Sequence, residues 1–238
     1  MNDIITLGVI GLGNAGGPIL NNLFKSKKYK LVAFDIDANK LKNLPESIIT
    51  ASSIKELASQ CNAVLTCLPK PEHVLEVVDS KNGLLHNASP NMVWIDTSTT
   101  DFKQTQELSI KAATYNVLML EATLTGGVHA LQNNNMVCLA GGDANTFKLW
   151  KKVLQDAIGE VVVLCGDIGA GAIAKVVSNM LAFTNMVAAS ECMMIAKRAG
   201  LDLENFFDAI RVSAGNSFAW ETVVPHIFNQ KYEAGFTM

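Results

Sequence analysis

The chain has 238 residues, of which 49% are hydrophobic and 17% charged, and its formal net charge is −3. This length accommodates one large domain or two modest ones with a sizeable core. Acidic and basic residues are mixed along the chain, so composition argues against a nucleic-acid partner. Five cysteines are scattered singly without metal-ligand spacing, which favours reduced thiols in a cytoplasmic setting and no metal site. The first residues lack the positively charged segment of a secretory signal.

Short apolar runs alternate with helix-like segments over the first two thirds of the chain. Strands are predicted within 6–13, 30–35, 62–69, 92–98, 116–122, 135–142 and 160–166. The intervening helical segments indicate a mostly parallel sheet covered by helices. The predicted fold class is therefore α/β, and residues 1–166 are assigned to one domain.

From about Ala170 the pattern is helical only. The first helix is about 30 residues long and would span about 45 Å. Its apolar residues occur nearly all round, so we expect an interior helix that is covered on most sides. Its polar interruptions predict that it does not span a membrane, and no membrane partner is expected. Shorter helices follow Asp202 and Ser217. Residues 167–238 thus form a predicted all-α domain, and the long apolar helix favours a homodimer or higher homo-oligomer.

A glycine-rich turn follows the first predicted strand. The stretch "GLGNAGG" has the GxGxxG pattern, between an apolar strand and an amphipathic helix. Gly11 permits the tight turn, Gly13 lets the backbone approach a pyrophosphate, and Gly16 lets the helix pack on the strand. The predicted dinucleotide contacts of this turn are Gly11, Leu12, Gly13, Asn14, Ala15 and Gly16.

An acidic residue ends the second predicted strand. Asp35 lies 19 positions after Gly16, where a carboxylate accepts hydrogen bonds from the adenosine ribose and repels a 2′-phosphate. No arginine follows it in "DIDANK", so NAD is predicted as the cofactor and NADP is less favoured. A glycine-rich turn without a ligand is the alternative, which strand, helix and acid together disfavour.

Two later loops fall at the carboxyl ends of predicted strands, where open α/β sheets bind ligands. In "CLPKP", Leu68 and Pro69 are predicted to line the cofactor trough. In "DTSTTD", Ser98 and Thr99 offer hydroxyls beside a nicotinamide, and they are assigned to the substrate and the cofactor respectively. Taken singly, either hydroxyl is more often found in a turn or a helix cap.

A third loop, in "EATLTGGVHA", also follows a predicted strand. Thr125 offers a hydroxyl, and Gly126 and Gly127 offer flexible backbone amides. Amide donors that converge on one point suit a small carboxylate. These three residues are predicted to bind the substrate.

A lysine and an asparagine interrupt the apolar stretch "GAGAIAKVVSNML". Lys175 and Asn179 are four residues apart and point the same way on a helix. Burial lowers the basicity of a lysine, which suits proton transfer near neutral pH. Lys175 is therefore the predicted general acid and base, and Asn179 a substrate ligand. The alternative is a lysine that extends to solvent from an apolar helix.

These motifs together resemble the β-hydroxyacid dehydrogenase family. "GLGNAGGPILNNL" is similar to its opening GLGxMGxxMAxNL, "DTSTTD" to DxSTxxP, "EATLTGG" to DAPVSGG, and "GAGAIAKVVSNML" to GxGxxxKxxNN. The resemblance covers essentially the whole chain. It implies a Rossmann domain, an all-α domain, an NAD(P)-dependent reaction on a small 3-hydroxy acid, Lys175 as the catalytic lysine and Asn179 as the substrate asparagine.

The sequence departs from the family pattern at several positions. Thr125 replaces a serine, Thr123 and Phe102 stand where prolines are usual, and Asn134 stands where a glycine is common. The sequence ends at "EAGFTM", whereas family members continue through a KDL-type segment. The resemblance therefore predicts a truncated all-α domain.

The leading hypothesis is an NAD-dependent oxidoreductase of the 3-hydroxyisobutyrate dehydrogenase type. One alternative is a reductase of tartronate semialdehyde or another short aldehyde acid. The other is a non-catalytic dinucleotide-binding scaffold. The predicted partner is a small hydroxy acid, and its identity is left open.

Overall fold

The computed structural model describes residues 4–126 and 131–228. One sheet of eight strands is formed in the order β3-β2-β1-β4-β5-β6-β7-β8. Its strands are β1 (Thr6–Ile10), β2 (Lys30–Phe34), β3 (Ile48–Thr50), β4 (Ala63–Thr66), β5 (Val93–Asp96), β6 (Leu118–Thr125), β7 (Val137–Gly142) and β8 (Val162–Gly166). The helices are α1 (Gly16–Ser26), α2 (Ile54–Ala58), α3 (Pro71–Asp79), α4 (Leu84–Asn87), α5 (Phe102–Thr114), α6 (Ala144–Ala157), α7 (Ala170–Arg198), α8 (Leu203–Arg211) and α9 (Phe218–Phe228).

Neighbouring strands are parallel except β6 and β7, which are antiparallel. The prediction of a mostly parallel α/β sheet is confirmed. Strand β3 was not predicted, because three residues are too few to show a periodic pattern. The chain runs outward from β1 through β2 to β3, then returns to add β4 on the other side of β1. The order therefore reverses between β1 and β4, where doubly wound sheets bind ligands.

Apolar side chains cover both faces of the sheet. On one face, Leu7, Val9 and Leu65 pack with α1 and α6 through residues such as Ile19 and Leu154. On the other face, the core joins the sheet to α2, α3 and α5; it includes Val64, Trp94, Leu57, Val74 and Leu108. Strands buried on both sides explain the continuous apolar runs in the sequence.

The chain folds into two compact units, and the division between them falls after Lys175. The first turn of α7 thus belongs with the sheet. In the second unit, Ala189 and Met193 of α7 form a small core with Trp220 and Val224 of α9. The Trp220 ring donates a hydrogen bond to the Phe207 carbonyl over 3.1 Å. The domain boundary predicted after residue 166 stays a prediction.

The prediction that α7 is covered on most sides is wrong for the described chain. Val176 and Met180 are 65% and 64% exposed, because α8 and α9 pack only on the face that carries Ala189 and Met193. Among the described residues, α7 is long and apolar enough to cross a membrane, by length and composition alone. Its most apolar 18-residue stretch has a mean hydropathy of 1.3, and 11% of that stretch is buried. The polar residues of α7 were expected to exclude a membrane span. By length and composition they do not exclude one. The absence of a membrane partner and the homo-oligomer remain predictions.

Candidate active site

The glycine-rich turn joins β1 to α1 at the reversal of strand order. Gly11 has φ of +88°, and a Cβ there would strike the Cys67 carbonyl oxygen after β4. A Cβ on Gly16 would collide with the Gly11 carbonyl oxygen. By contrast, a Cβ on Gly13 would meet no atom within 4 Å. The turn is closed where Gly11 and Gly16 lie, and open at Gly13.

The first turn of α1 faces this open space. Leu12 is buried, Asn14 is exposed and Ala15 is half-buried. The N-cap residue Ala15 makes no side-chain cap hydrogen bond, and the first turn of α1 has no acidic residue. The positive end of a helix suits a phosphate. The open space at Gly13 and the start of α1 therefore fit the pyrophosphate of a dinucleotide.

Asp35 follows β2 beside the glycine-rich turn. Its side chain is buried, and its two oxygens accept hydrogen bonds from Leu12 N–H over 2.6 Å and Asp37 N–H over 2.8 Å. The Lys40 amine lies 3.3 Å from the same carboxylate. Burial opposes ionisation of Asp35, but these N–H groups and the Lys40 ammonium outweigh it and lower the pKa of the carboxyl. Asp35 is therefore ionised at neutral pH.

Lys40 was missed by the sequence interpretation, which looked only for arginine after Asp35. The short 3-10 turn Ala38–Lys40 brings its amine back to the carboxylate. The signal was present as the lysine of "DIDANK". This amine adds a positive charge beside the acid.

The loops after β4 and β5 are held together by side-chain hydrogen bonds. Ser98 is buried, and its Oγ accepts a bond from Leu68 N–H over 3.0 Å. Asp96 accepts bonds from Thr66 Oγ1 over 2.8 Å and from Ser98 N–H over 3.1 Å. Burial raises the pKa of Asp96. Ser98 therefore joins two loops, and its assignment to the substrate stays a prediction.

Other predicted positions lie nearer the surface of the same sheet edge. Pro69 and Thr99 are exposed. Thr125 is half-buried at the end of β6, and Gly126 after it is exposed with φ of +124°. Gly127 lies outside the described residues. Their assignments to the cofactor and the substrate stay predictions.

The start of α7 is tied to β6. The Glu121 carboxylate accepts hydrogen bonds from Gly169 N–H over 2.9 Å, from Gly171 N–H over 3.1 Å and from Ala172 N–H. Lys175 lies one helical turn beyond Gly171 and is half-buried. Burial lowers the pKa of the Lys175 amine. Sequence interpretation missed Glu121, because its partners lie 48 to 51 residues away.

Asn179 lies one turn after Lys175 on α7 and is half-buried, in the second unit. Its place at the substrate stays a prediction. Among residues 4–126 and 131–228, no group of three or more histidine, cysteine or acidic side chains could hold a metal ion.

The mostly parallel sheet, the glycine-rich turn and Asp35 indicate a protein that binds a dinucleotide. Residues 6–166 match the family described as the NAD binding domain of 6-phosphogluconate dehydrogenase. Residues 169–238 match the family described as the NAD-binding domain of NADP-dependent 3-hydroxyisobutyrate dehydrogenase. The chain belongs to the β-hydroxyacid dehydrogenase family. Proteins of this family bind a small-molecule substrate and a nucleotide cofactor.

Individual relatives agree with this assignment. The chain is 31% identical to the mitochondrial 3-hydroxyisobutyrate dehydrogenase of Mus musculus, over 97% of this chain and 70% of the mouse protein. It is 30% identical to the L-threonate dehydrogenase of Cupriavidus necator, over 95% of this chain and 76% of that protein. A structure of Mycobacterium tuberculosis 3-hydroxyisobutyrate dehydrogenase with L-serine is similar at a TM-score of 0.85 and 28% identity, covering 93% of this chain and 75% of that one.

Proposed function

We propose that this chain is an NAD-dependent oxidoreductase of small 3-hydroxy acids, with Lys175 as general acid and base. The observation that carries the proposal is the half-buried Lys175 amine with its lowered pKa, on a helix whose first turn is bonded to β6. A lowered pKa enlarges the neutral fraction of the amine at any given pH, and only the neutral amine accepts a proton.

The chemistry divides between the cofactor and the chain. When bound, the nicotinamide would supply hydride transfer, from the alcohol carbon in oxidation and to the carbonyl carbon in reduction. In oxidation, Lys175 takes the hydroxyl proton as the carbon–oxygen double bond forms, and becomes an ammonium. In reduction, the ammonium gives that proton to the carbonyl oxygen. The backbone amides after Thr125 would hold the carboxylate, and Asn179 would orient the substrate.

A 3-hydroxy acid is favoured over other alcohols by the relatives' substrates. 3-Hydroxyisobutyrate and L-serine, named with two of these relatives, share a carboxylate and a hydroxyl on carbon 3. L-threonate adds further hydroxyls. A reductase of tartronate semialdehyde or another short aldehyde acid would use the same groups in the opposite direction.

Turnover with a panel of acids tests the proposal. The panel contains 3-hydroxyisobutyrate, L-serine, L-threonate and glycerate with NAD, and tartronate semialdehyde with NADH, followed by absorbance of the reduced cofactor. We expect turnover of at least one of these acids. A protein that binds NADH yet turns over none of them would instead be the dinucleotide-binding scaffold.

The preference for NAD is proposed to depend on the Asp35 carboxylate. Its negative charge opposes a 2′-phosphate, whereas the Lys40 amine beside it would attract one. We expect Asp35→Ala to raise kcat/KM for NADP relative to NAD by about 10-fold, equivalent to about 1.4 kcal/mol. Steady-state kinetics with both cofactors measure this ratio.

Lys40→Ala is the matched variant, because it removes the opposite charge from the same pair. It should lower turnover with NADP and leave kcat/KM for NAD within about two-fold. Unchanged discrimination in Asp35→Ala would remove Asp35 from this role.

A further inference from the structure

We propose that Glu121 is a positioning residue for Lys175. The Glu121 carboxylate holds the first turn of α7 against β6. The proposal rests on the function proposed above. Glu121 takes no proton in the reaction. It fixes where the helix, and therefore the amine, lies.

Both oxygens of Glu121 are used as acceptors. Oε2 accepts from Gly169 N–H over 2.9 Å and Gly171 N–H over 3.1 Å, and Oε1 accepts from Ala172 N–H. Two accepting oxygens are the pattern of an ionised carboxylate. Glu121 is 2% exposed, so no bulk water competes for these bonds. A negatively charged carboxylate at a helix N-terminus also interacts favourably with the helix dipole.

The helix and the sheet approach each other too closely for side chains at two positions. A Cβ on Gly141 of β7 would lie 2.5 Å from Glu121 Oε2. A Cβ on Gly171 would lie 2.6 Å from the Leu139 carbonyl oxygen. Thr123 adds a second contact, because its hydroxyl lies 3.2 Å from the Gly171 carbonyl oxygen. The start of α7 therefore packs closely on the sheet. Among the described residues, Glu121 accepts most of the hydrogen bonds that join the two.

The start of α7 lies across the strand partners of Glu121 and Thr123. The Asp167 carbonyl and the Gly171 N–H lie against Gly141, the partner of Glu121, and Gly171 also lies against the Leu139 carbonyl, the partner of Thr123. Lys175 lies four residues, about one helical turn, beyond Gly171. The contacts at Glu121 and Thr123 therefore fix the helical turn that precedes the amine.

The electrostatics indicate that Glu121 acts through the helix. Burial raises the pKa of Glu121 above its ordinary value; the three N–H groups offset this only in part, and the charge of Asp96 on β5 adds to the rise. Burial raises the pKa of the Cys138 and Cys165 thiols, on β7 and β8, and the charge of Glu121 raises it further. Burial is what lowers the pKa of Lys175. The basicity of the amine therefore depends on where α7 holds it.

Glu121→Gln tests this role. A glutamine has one acceptor oxygen, and its NH₂ group would face an N–H donor at the helix start. We expect kcat for oxidation to fall about 10- to 100-fold, since small displacements of a catalytic group cost this much, with KM for NAD within about two-fold. The pH at which oxidation becomes half-maximal should rise, because a more hydrated Lys175 regains basicity.

Glu121→Asp keeps the charge and both acceptor oxygens. It should recover most of kcat and restore the pH profile toward that of the unmodified protein. Asn22→Ala is the structural control, because the Asn22 amide donates two buried hydrogen bonds of 3.0 Å to the Leu131 and Ala157 carbonyls. It should lower Tm and leave the pH profile unchanged. A Glu121→Gln variant that behaves like Asn22→Ala would overturn the proposal.

A second readout separates this proposal from the proposed function. Lysine amines labelled by reductive ¹³C-methylation titrate in NMR spectra, and Lys175→Ala identifies the signal of Lys175. We expect Glu121→Gln to raise the pKa of that amine toward the ordinary lysine value. If no acid is turned over but the amine shifts, the proposed function fails and the positioning role stands. If acids are turned over and the amine does not shift, the positioning role fails.

Discussion

Lys175→Ala is expected to lower kcat for oxidation of a 3-hydroxy acid by about 100- to 10,000-fold, the range that general acid–base groups supply. An alanine cannot accept the hydroxyl proton, so hydride departure would have to expel the proton into water. The glycine-rich turn and Asp35 are untouched, and the dissociation constant for NADH should therefore stay within about two-fold. Steady-state turnover and a fluorescence titration with NADH measure the two quantities.

Two further variants make this result specific. Lys175→Arg keeps the positive charge, but a guanidinium does not release its proton at neutral pH, so it should be as slow as the alanine variant. Lys197→Ala removes an exposed lysine in the last turn of the same helix and should keep full turnover. A Lys175→Ala variant with kcat within a few-fold of the unmodified enzyme would end the assignment of this lysine.

The pH dependence follows from the direction of the Lys175 shift. Burial lowers the pKa of this amine, so its neutral form is present at a lower pH than the ordinary lysine pKa of about 10.4 allows. Oxidation needs the neutral amine and should rise with pH through that lowered pKa. Reduction needs the ammonium and should fall through the same range. The pH profiles of the oxidation and reduction rates should therefore cross. In Lys175→Ala neither rate should change with pH through this range.

The central strands β1, β4 and β5 were predictable because they are buried on both faces, and each is a mainly apolar run in the sequence. Strand β3 was not, since three residues at an edge carry no such run. The exposed α7 shows a different limit. Apolar residues all round a helix indicate that it should be covered, but periodicity cannot say that the described chain covers only one face of it.

The candidate site divides in the same way. The glycine-rich turn and Asp35 were visible because their spacing is local and each step has a steric or electrostatic reason. Glu121 was not, because its carboxylate meets backbone N–H groups about fifty residues later. Phe102 was seen only as a departure from a proline. In the structure its ring packs on Gly169, where a Cβ would collide with it.

The second large effect is expected at the open position of the glycine-rich turn. Gly13→Val places a branched side chain where the structure has no atom within 4 Å of a Cβ, so the chain should fold with an unchanged Tm. That same space is the proposed path of the pyrophosphate. We expect the dissociation constant for NADH to rise at least about 100-fold, equivalent to about 2.7 kcal/mol. Calorimetric titration with NADH and thermal unfolding without it measure the two quantities.

Variants of two neighbouring glycines distinguish a blocked pyrophosphate site from a turn that no longer folds correctly. Gly17→Ala puts its Cβ 3.5 Å from the Leu12 carbonyl oxygen, an ordinary contact, and should bind NADH normally. Gly16→Ala drives its Cβ into the Gly11 carbonyl oxygen and should lower Tm as well as affinity. Saturating NADH should raise the Tm of the unmodified protein and of Gly17→Ala, because only the folded state binds it, but not that of Gly13→Val. Tight NADH binding by a folded Gly13→Val variant would mean that the pyrophosphate does not cross this turn.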